Sequence, residues 1–296
     1  MMSGDGLDHA VALLKQRDGV DKCLKLMRYA AQFTAYNVLL VDPGSVVGAK
    51  LKDLDASSAV ARKFLKLGKF LGNAKEIRAL LRAHASLTET TDHDRGGASH
   101  PRTGTLTFPG LAALLTHRLS IACQGTMLAY NFLEQGNWAV KTGLIRGRRN
   151  KEWIARWVNW TELATYVFSI QLTALGLRDC ARRIEALERR LGRARRVKKD
   201  DGDGDAASPE GGTLGGRIRA GSDDGTSEAS VRSALRAAVR ERTLLKMALA
   251  QDCMDAAVVI GDIRGGDSVL TKPWLVGTLG LCSAVIGVCD KWMTTG

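Results

Sequence analysis

The chain has 296 residues, 45% of them apolar, with 43 Lys and Arg against 31 Asp and Glu for a formal net charge of +12. The apolar share excludes a disordered chain. A mean hydropathy of −0.09 excludes a protein made mostly of membrane spans, and the charge calls for a polyanionic partner, either nucleic acid or an anionic lipid surface.

Met1 to Gly6 carries no charged region followed by an apolar run, so a secretory signal peptide is not expected. Apolar positions recur at spacings of three and four through most of the chain, and alternating β-branched runs are scarce, which makes the fold class all-α. Residues 7–40 read as a first helical region. Val20, Leu24, Met27, Ala31 and Ala35 share one face there, Lys22, Lys25 and Arg28 lie mostly away from it, and Asp42-Pro43-Gly44 ends the helix.

A second helix is expected to begin near Ser57 and Ser58, both suitable caps, and to run to Gly72-Asn73, with helical character resuming to Arg82. Residues 86–109 are rich in Thr, Gly and His and read as a loop. Leu111 to Leu133 is apolar except for His117, Arg118 and a few neutral polar residues, and reads either as a buried helix or as a marginal span. After a basic turn at Lys141 to Lys151 that includes Arg146, a long helix is expected from Glu152 to about Val197, opened by the interfacial-type anchors Trp153, Trp157 and Trp160. Leu177, Cys180, Ile184, Leu187 and Leu191 form a seam on it for a partner helix. Residues 198–230 are rich in Gly, Ser and Asp and read as a disordered linker. A helix over Ser230 to Ile263 then packs back on the Arg-rich one.

The chain closes on a charge-free run of 17 residues from Pro273 to Cys289, flanked by Trp274 and Trp292. At 1.5 Å per residue it reaches roughly 26 Å, near the thickness of a hydrocarbon core. Gly280, Ser283, Ala284 and Gly287 offer a small-residue stripe for close helix packing and homo-oligomers in lipid. The alternative is a buried C-terminal helix of a soluble bundle. The organisation read from sequence is therefore 1–85 N-terminal amphipathic region, 86–110 loop, 111–197 central helical region, 198–230 linker and 231–296 C-terminal helix with transmembrane anchor.

The lipid-active element is expected near residues 59–71. On a helical wheel Val60, Phe64, Leu67, Gly68 and Leu71 cluster on one side, and Arg62, Lys66 and Lys69 fall opposite, with Lys63 completing the membrane-binding set. Such a helix lays Phe64, Leu67 and Leu71 among acyl chains while its cations meet phosphates of an anionic phospholipid membrane. Insertion expands one leaflet and bends the bilayer. The competing view is an ordinary helix with a solvated charged face.

Catalytic patterns are weak. The histidines lack H-x-x-x-H spacing, the six cysteines lack zinc spacing and read as reduced thiols, and Cys282 and Cys289, one heptad apart, read as packing within the membrane. Asp252 and Asp255 fit polar contacts between helices better than an acid pair. No metal site, cofactor or catalytic set is expected, and no motif for nucleic acid is present.

Three blocks in this order, RDGVDKCLKLMRYAAQF from Arg17 to Phe33, SAVARKFLKLGKFLGN from Ser58 to Asn73, and LLKMALAQDCMDAAVV from Leu244 to Val259 followed by VGTLGLCSAVIG, resemble the peroxin-11 family of peroxisomal membrane proteins. The resemblance implies residence in the membrane of peroxisomes or a related organelle such as the glycosome. It further implies elongation of that membrane before fission and proliferation, self-association, and cooperation with fission factors of the dynamin-related class. A pore for small metabolites, built from the 111–133, 153–177 and 273–289 helices, is the alternative function.

Overall fold

A computed structural model describes residues 11–66, 68–93, 108–145, 147–202, 224–266 and 268–295. Leu67, Arg146, residues 94–107 of the expected loop and residues 203–223 of the expected linker lie outside the described residues. Every regular element within them is helical: α1 (Arg17–Val41), α2 (Val46–Leu65), α3 (Lys69–His93), α4 (Phe108–Lys141), α5 (Arg148–Gly202), α6 (Asp224–Arg264), a 3-10 turn at Val269–Thr271 and α7 (Pro273–Thr295). The fold is all-α.

Helix α1 stops where the sequence expects. The Asp42 amide caps onto the Val38 carbonyl, the Gly44 amide donates back to Asp42 Oδ1 at 3.1 Å, and Pro43 cannot continue the helix. Its buried face differs from the apolar one. Gly19, Asp21, Lys25, Tyr29, Ala31 and Ala35 are inside, and Met27 is exposed.

The expected helix from Ser57 to Asn73 is two helices. Helix α2 starts eleven residues earlier, after Ser45, and Ser58 is no cap but a buried mid-helix residue whose hydroxyl donates to the Leu54 carbonyl at 2.7 Å. The helix ends at Leu65 with Lys66 as its cap. Gly68, at φ +79°, takes the left-handed conformation that closes a helix and that other residues avoid, and α3 starts directly after it. A wheel drawn through Gly68 therefore mixes two helix axes.

The chain divides into two compact units, one of residues 1–173 with 247–296 and one of residues 174–246. In the first, α1 packs along α2 and α7, and α3 along α4. Gly48 marks the tight approach of α2 to α1, where a Cβ would come within 2.6 Å of Leu39. The second is a hairpin of the last part of α5 and the first part of α6. Cys180, Ile184 and Ala238 form its core with Leu187, Leu235 and Leu245 around them, as the leucine seam in the sequence implies. Charged residues cover its outside, and Arg183 reaches Glu241 across it at 2.6 Å.

Candidate functional site

The cations assigned to lipid phosphates face into the first unit. Arg62 Nε donates to Asp21 of α1 at 3.0 Å, Lys63 pairs with Glu134 of α4 at 3.2 Å, Lys66 donates to the Tyr130 hydroxyl of α4 at 2.9 Å, and Lys69 pairs with Asp18 of α1 at 2.7 Å. These contacts clamp the α2–α3 junction onto α1 and α4. The apolar members of the set point outward: Val60, Phe64 and Leu71 are 48%, 62% and 64% exposed. Val60 and Phe64, four apart on α2, share one face. Val60 and Phe64 share a face, as the wheel groups them, whereas Arg62 and Lys66 are taken up by the buried Asp21 and by Tyr130 and Lys69 pairs with the exposed Asp18, so the wheel's free outer face of cations is corrected.

Local charge follows from this packing. The hydrogen bond from Lys69 holds the Asp18 carboxyl below its ordinary value. Burial alone would raise Asp21, but Arg62 and Lys66 reverse this and leave it lowered. Burial pulls the Lys66 ammonium down, and neighbouring Arg62 adds to that.

A second node joins α1, α6 and α7. Lys25 Nζ donates to both Asp255 oxygens, at 2.8 and 2.6 Å, and to Ser283 Oγ at 2.8 Å, while the Ser283 hydroxyl is within 2.6 Å of Asp255 Oδ1. Three groups in one contact network satisfy charges that would be costly to bury apart. The small-residue stripe is filled from within the same chain. A Cβ at Gly280 would run into the Tyr29 ring, one at Gly287 would meet Lys22 and Gln251, and Ser283 and Ala284 are fully buried. Small residues here let α1 approach α7, and the stripe offers no free face to a second copy in this arrangement. The opposite ridge of α7 stays open, with Trp274, Thr278, Cys282, Val285, Cys289 and Trp292 exposed at spacings of three and four. Cys282 and Cys289 thus sit on the outer ridge and do not pack within this chain. Over Pro273–Thr294 this helix is long and apolar enough to cross a membrane, and only 28% of its apolar window is buried inside the protein.

The sequence profile described as Peroxisomal biogenesis factor 11 (PEX11) matches residues 7–92 and 113–292. The chain belongs to the PEX11 family. It is 27% identical over 291 residues to Peroxisomal membrane protein 11A of Arabidopsis thaliana, covering 98% of this chain and 94% of that one. Over 289 residues it is 28% identical to Peroxisomal membrane protein 11-2 and 29% identical to 11-3 of Oryza sativa subsp. japonica, each covering 97% of this chain and 89% of the relative. No solved structure matches significantly. This PEX11-family chain is a peroxisomal membrane protein of peroxisome biogenesis.

Between the two nodes lies a polar cavity of about 370 Å³, lined among others by Lys25, Arg62, Lys66, Tyr130, Glu162 and Tyr166. A wider recess of about 930 Å³ shares Lys25, Arg62, Lys66, Tyr130 and Tyr166 with it. Tyr166 donates to Glu162 at 3.3 Å, and Asp252 accepts from Ser169 at 2.6 Å, so the aspartates of α6 serve contacts between helices. Sequence reading missed Asp18, Asp21, Glu134 and Asp255 as partners of these cations. A signal existed in α1, where Asp21, Lys25 and Tyr29 recur every four residues on one face.

Proposed function

We propose that this PEX11-family chain elongates the peroxisomal membrane ahead of fission by seating the outward apolar edge of the α2–α3 junction, Val60, Phe64 and Leu71, in the cytosolic leaflet. The observation that carries this reading is that these side chains stand 48–64% exposed while Arg62, Lys63 and Lys66 are held inside by Asp21, Glu134 and Tyr130 and Lys69 pairs with Asp18 at the surface. Exposed apolar side chains beside cations that are already paired suit contact with an apolar medium better than contact with phosphates. Helix α7 anchors the chain over Pro273–Thr294. Material wedged into one leaflet expands that leaflet and favours positive curvature. In this reading Arg62, Lys63, Lys66 and Lys69 act as struts that set the wedge, and phosphate contact by any of them follows only if its pair opens. Leu67, which the sequence also places in the wedge, lies outside the described residues. The role is non-catalytic.

Self-association and supply of the elongated membrane to dynamin-related fission factors complete the reading. The face it assigns to a second copy is the exposed ridge of α7 through Cys282, Val285 and Cys289, not the filled Gly280–Gly287 stripe. The test is cryo-electron microscopy of anionic vesicles reconstituted with the full chain. Wild type is expected to draw vesicles into tubules, and Val60→Ser/Phe64→Ser/Leu71→Ser to insert normally but leave them round. Tubules of equal frequency with the variant contradict the wedge.

The polar cavity supports a second reading, a path for small polar solutes through the first unit. Conductance across a planar bilayer that falls when Glu162→Leu or Tyr130→Phe is introduced supports it, and silence of the wild-type chain removes it.

A further inference from the structure

The hairpin of residues 174–246 has no part in the wedge, yet the chain's charge is concentrated there. Residues 174–246 hold seventeen Lys and Arg against twelve Asp and Glu, a net +5 of the chain's +12 in about a quarter of its length. The hairpin's core is satisfied by Cys180, Ile184 and Ala238, so the arginines are not needed to pack it. At about 100° per residue, Arg178, Arg182, Arg189 and Arg193 fall within roughly 40° of the direction opposite Cys180, and all four are exposed. Arg182 and Arg189 make only exposed pairs one turn away, with Asp179 at 3.6 Å and Glu185 at 2.5 Å, and such pairs open at little cost. Arg178 and Arg193 have no ion pair among the described residues. On α6, Arg236 and Arg240 likewise point away from Ala238 of the seam, and both are exposed.

We propose that the arginine ridge of α5, Arg178, Arg182, Arg189 and Arg193, is a docking surface for anionic lipid headgroups of the membrane in which the same chain is anchored. Three observations choose this occupant. The ridge interleaves arginines with small or acidic residues and presents no large apolar or aromatic side chain to insert into acyl chains or stack on bases, so contact is electrostatic and lies at the phosphate level. Guanidinium groups fork onto phosphate oxygens better than ammonium groups do. The hairpin is tethered by α6 to the anchored unit, so a weak surface contact suffices at the high local concentration of lipid. The ridge and the wedge are separate: one meets phosphates, the other acyl chains.

The test uses the full chain in nanodiscs of phosphatidylcholine, with or without phosphatidylserine, cleaved by Glu-C protease and followed at Glu185 and Glu188 by mass spectrometry. At low salt, cleavage is expected to slow at least about fivefold on the anionic discs, and the difference to vanish at about 0.5 M salt, where the screening length is only a few Å. Changing all four arginines to Gln removes the difference, changing all four to Lys keeps part of it, and Val60→Ser/Phe64→Ser leaves it intact, which separates this proposal from the wedge. Cleavage of the Gln variant at the wild-type rate on neutral discs shows that its hairpin is folded. Equal wild-type rates on both lipids overturn the proposal without recourse to any variant, as does undiminished protection of the folded Gln variant. Protection by a DNA duplex but not by anionic discs overturns it in favour of nucleic acid.

Discussion

The two units differ in what they bury beside their apolar residues: both bury apolar side chains, but only the first also buries ionised ones among the described residues. In the hairpin of residues 174–246, Cys180, Ile184 and Ala238 are inside and arginines are outside. In the other unit Asp21, Lys25, Asn131, Glu134 and Asp255 are inside, while Phe64, Phe132, Trp153, Trp157 and Val285 are outside. Both follow one rule, that a side chain turns toward the medium it resembles or toward a partner that replaces it. The hairpin is built for water. The first unit adds to its apolar core a set of paired buried charges, and leaves large apolar side chains outside among exposed charged ones.

The largest effect is expected where the buried charges are split. Lys25 and Asp255 are 9% and 8% exposed at their side chains, so Asp255→Leu strands an ammonium and should cost about 3–5 kcal/mol. Lys25→Met/Asp255→Leu, which removes both charges, should recover most of that loss. Thermal unfolding of the detergent-solubilised chain checks both, and an equally damaged double variant would show that the node is not an isolated charge pair. In the hairpin the same logic predicts an ordinary core defect, about 2–4 kcal/mol for Ile184→Ala, confined to residues 174–246 in hydrogen exchange. Next comes Gly280→Val, whose branched side chain meets the Tyr29 ring and should cost about 1–3 kcal/mol by overpacking. Oxidation with copper phenanthroline should link copies through Cys282 or Cys289, and Cys282→Ser/Cys289→Ser should abolish the linked dimer. Linkage through Cys180, buried in the hairpin, would instead mean that the hairpin opens.

The smallest effect concerns pH. Asp18 and Asp21 are held below the ordinary carboxylate value, so their contribution is fully present above about pH 4 and lost as pH falls through the lowered values. Protection of the α2–α3 junction in hydrogen exchange should be flat from neutral pH down to about 5 and fall only in stronger acid. Loss already near neutral pH would assign the clamp to other groups.

Much of the architecture was legible in residue spacing. The leucine seam of α5, the return of α6 onto it, the Asp42-Pro43-Gly44 stop and the closing apolar helix all follow from periodicity, apolar run length and turn chemistry, which are local in the sequence. The α2–α3 junction was legible only in part. A wheel reads Gly68 as one more helical residue, whereas its positive φ divides the axis, and a wheel cannot tell a cation facing solvent from one facing Asp21. The same limit applies to the Gly280–Gly287 stripe, since small residues announce a close approach but not whose helix approaches. What sequence lacked in each case was the long-range partner, Asp18 and Asp21 for the cations and Tyr29 for Gly280.

The difference in outward apolar surface between the two units is most directly measured with a phospholipid carrying a photoactivatable diazirine on its acyl chain. With the full chain in anionic vesicles, adducts mapped by mass spectrometry should fall on Val60, Phe64 and Leu71 and on the outer ridge of α7, and be absent from residues 174–246. Adducts spread over the hairpin, or missing from Val60 to Leu71 while α7 is labelled, would contradict the account.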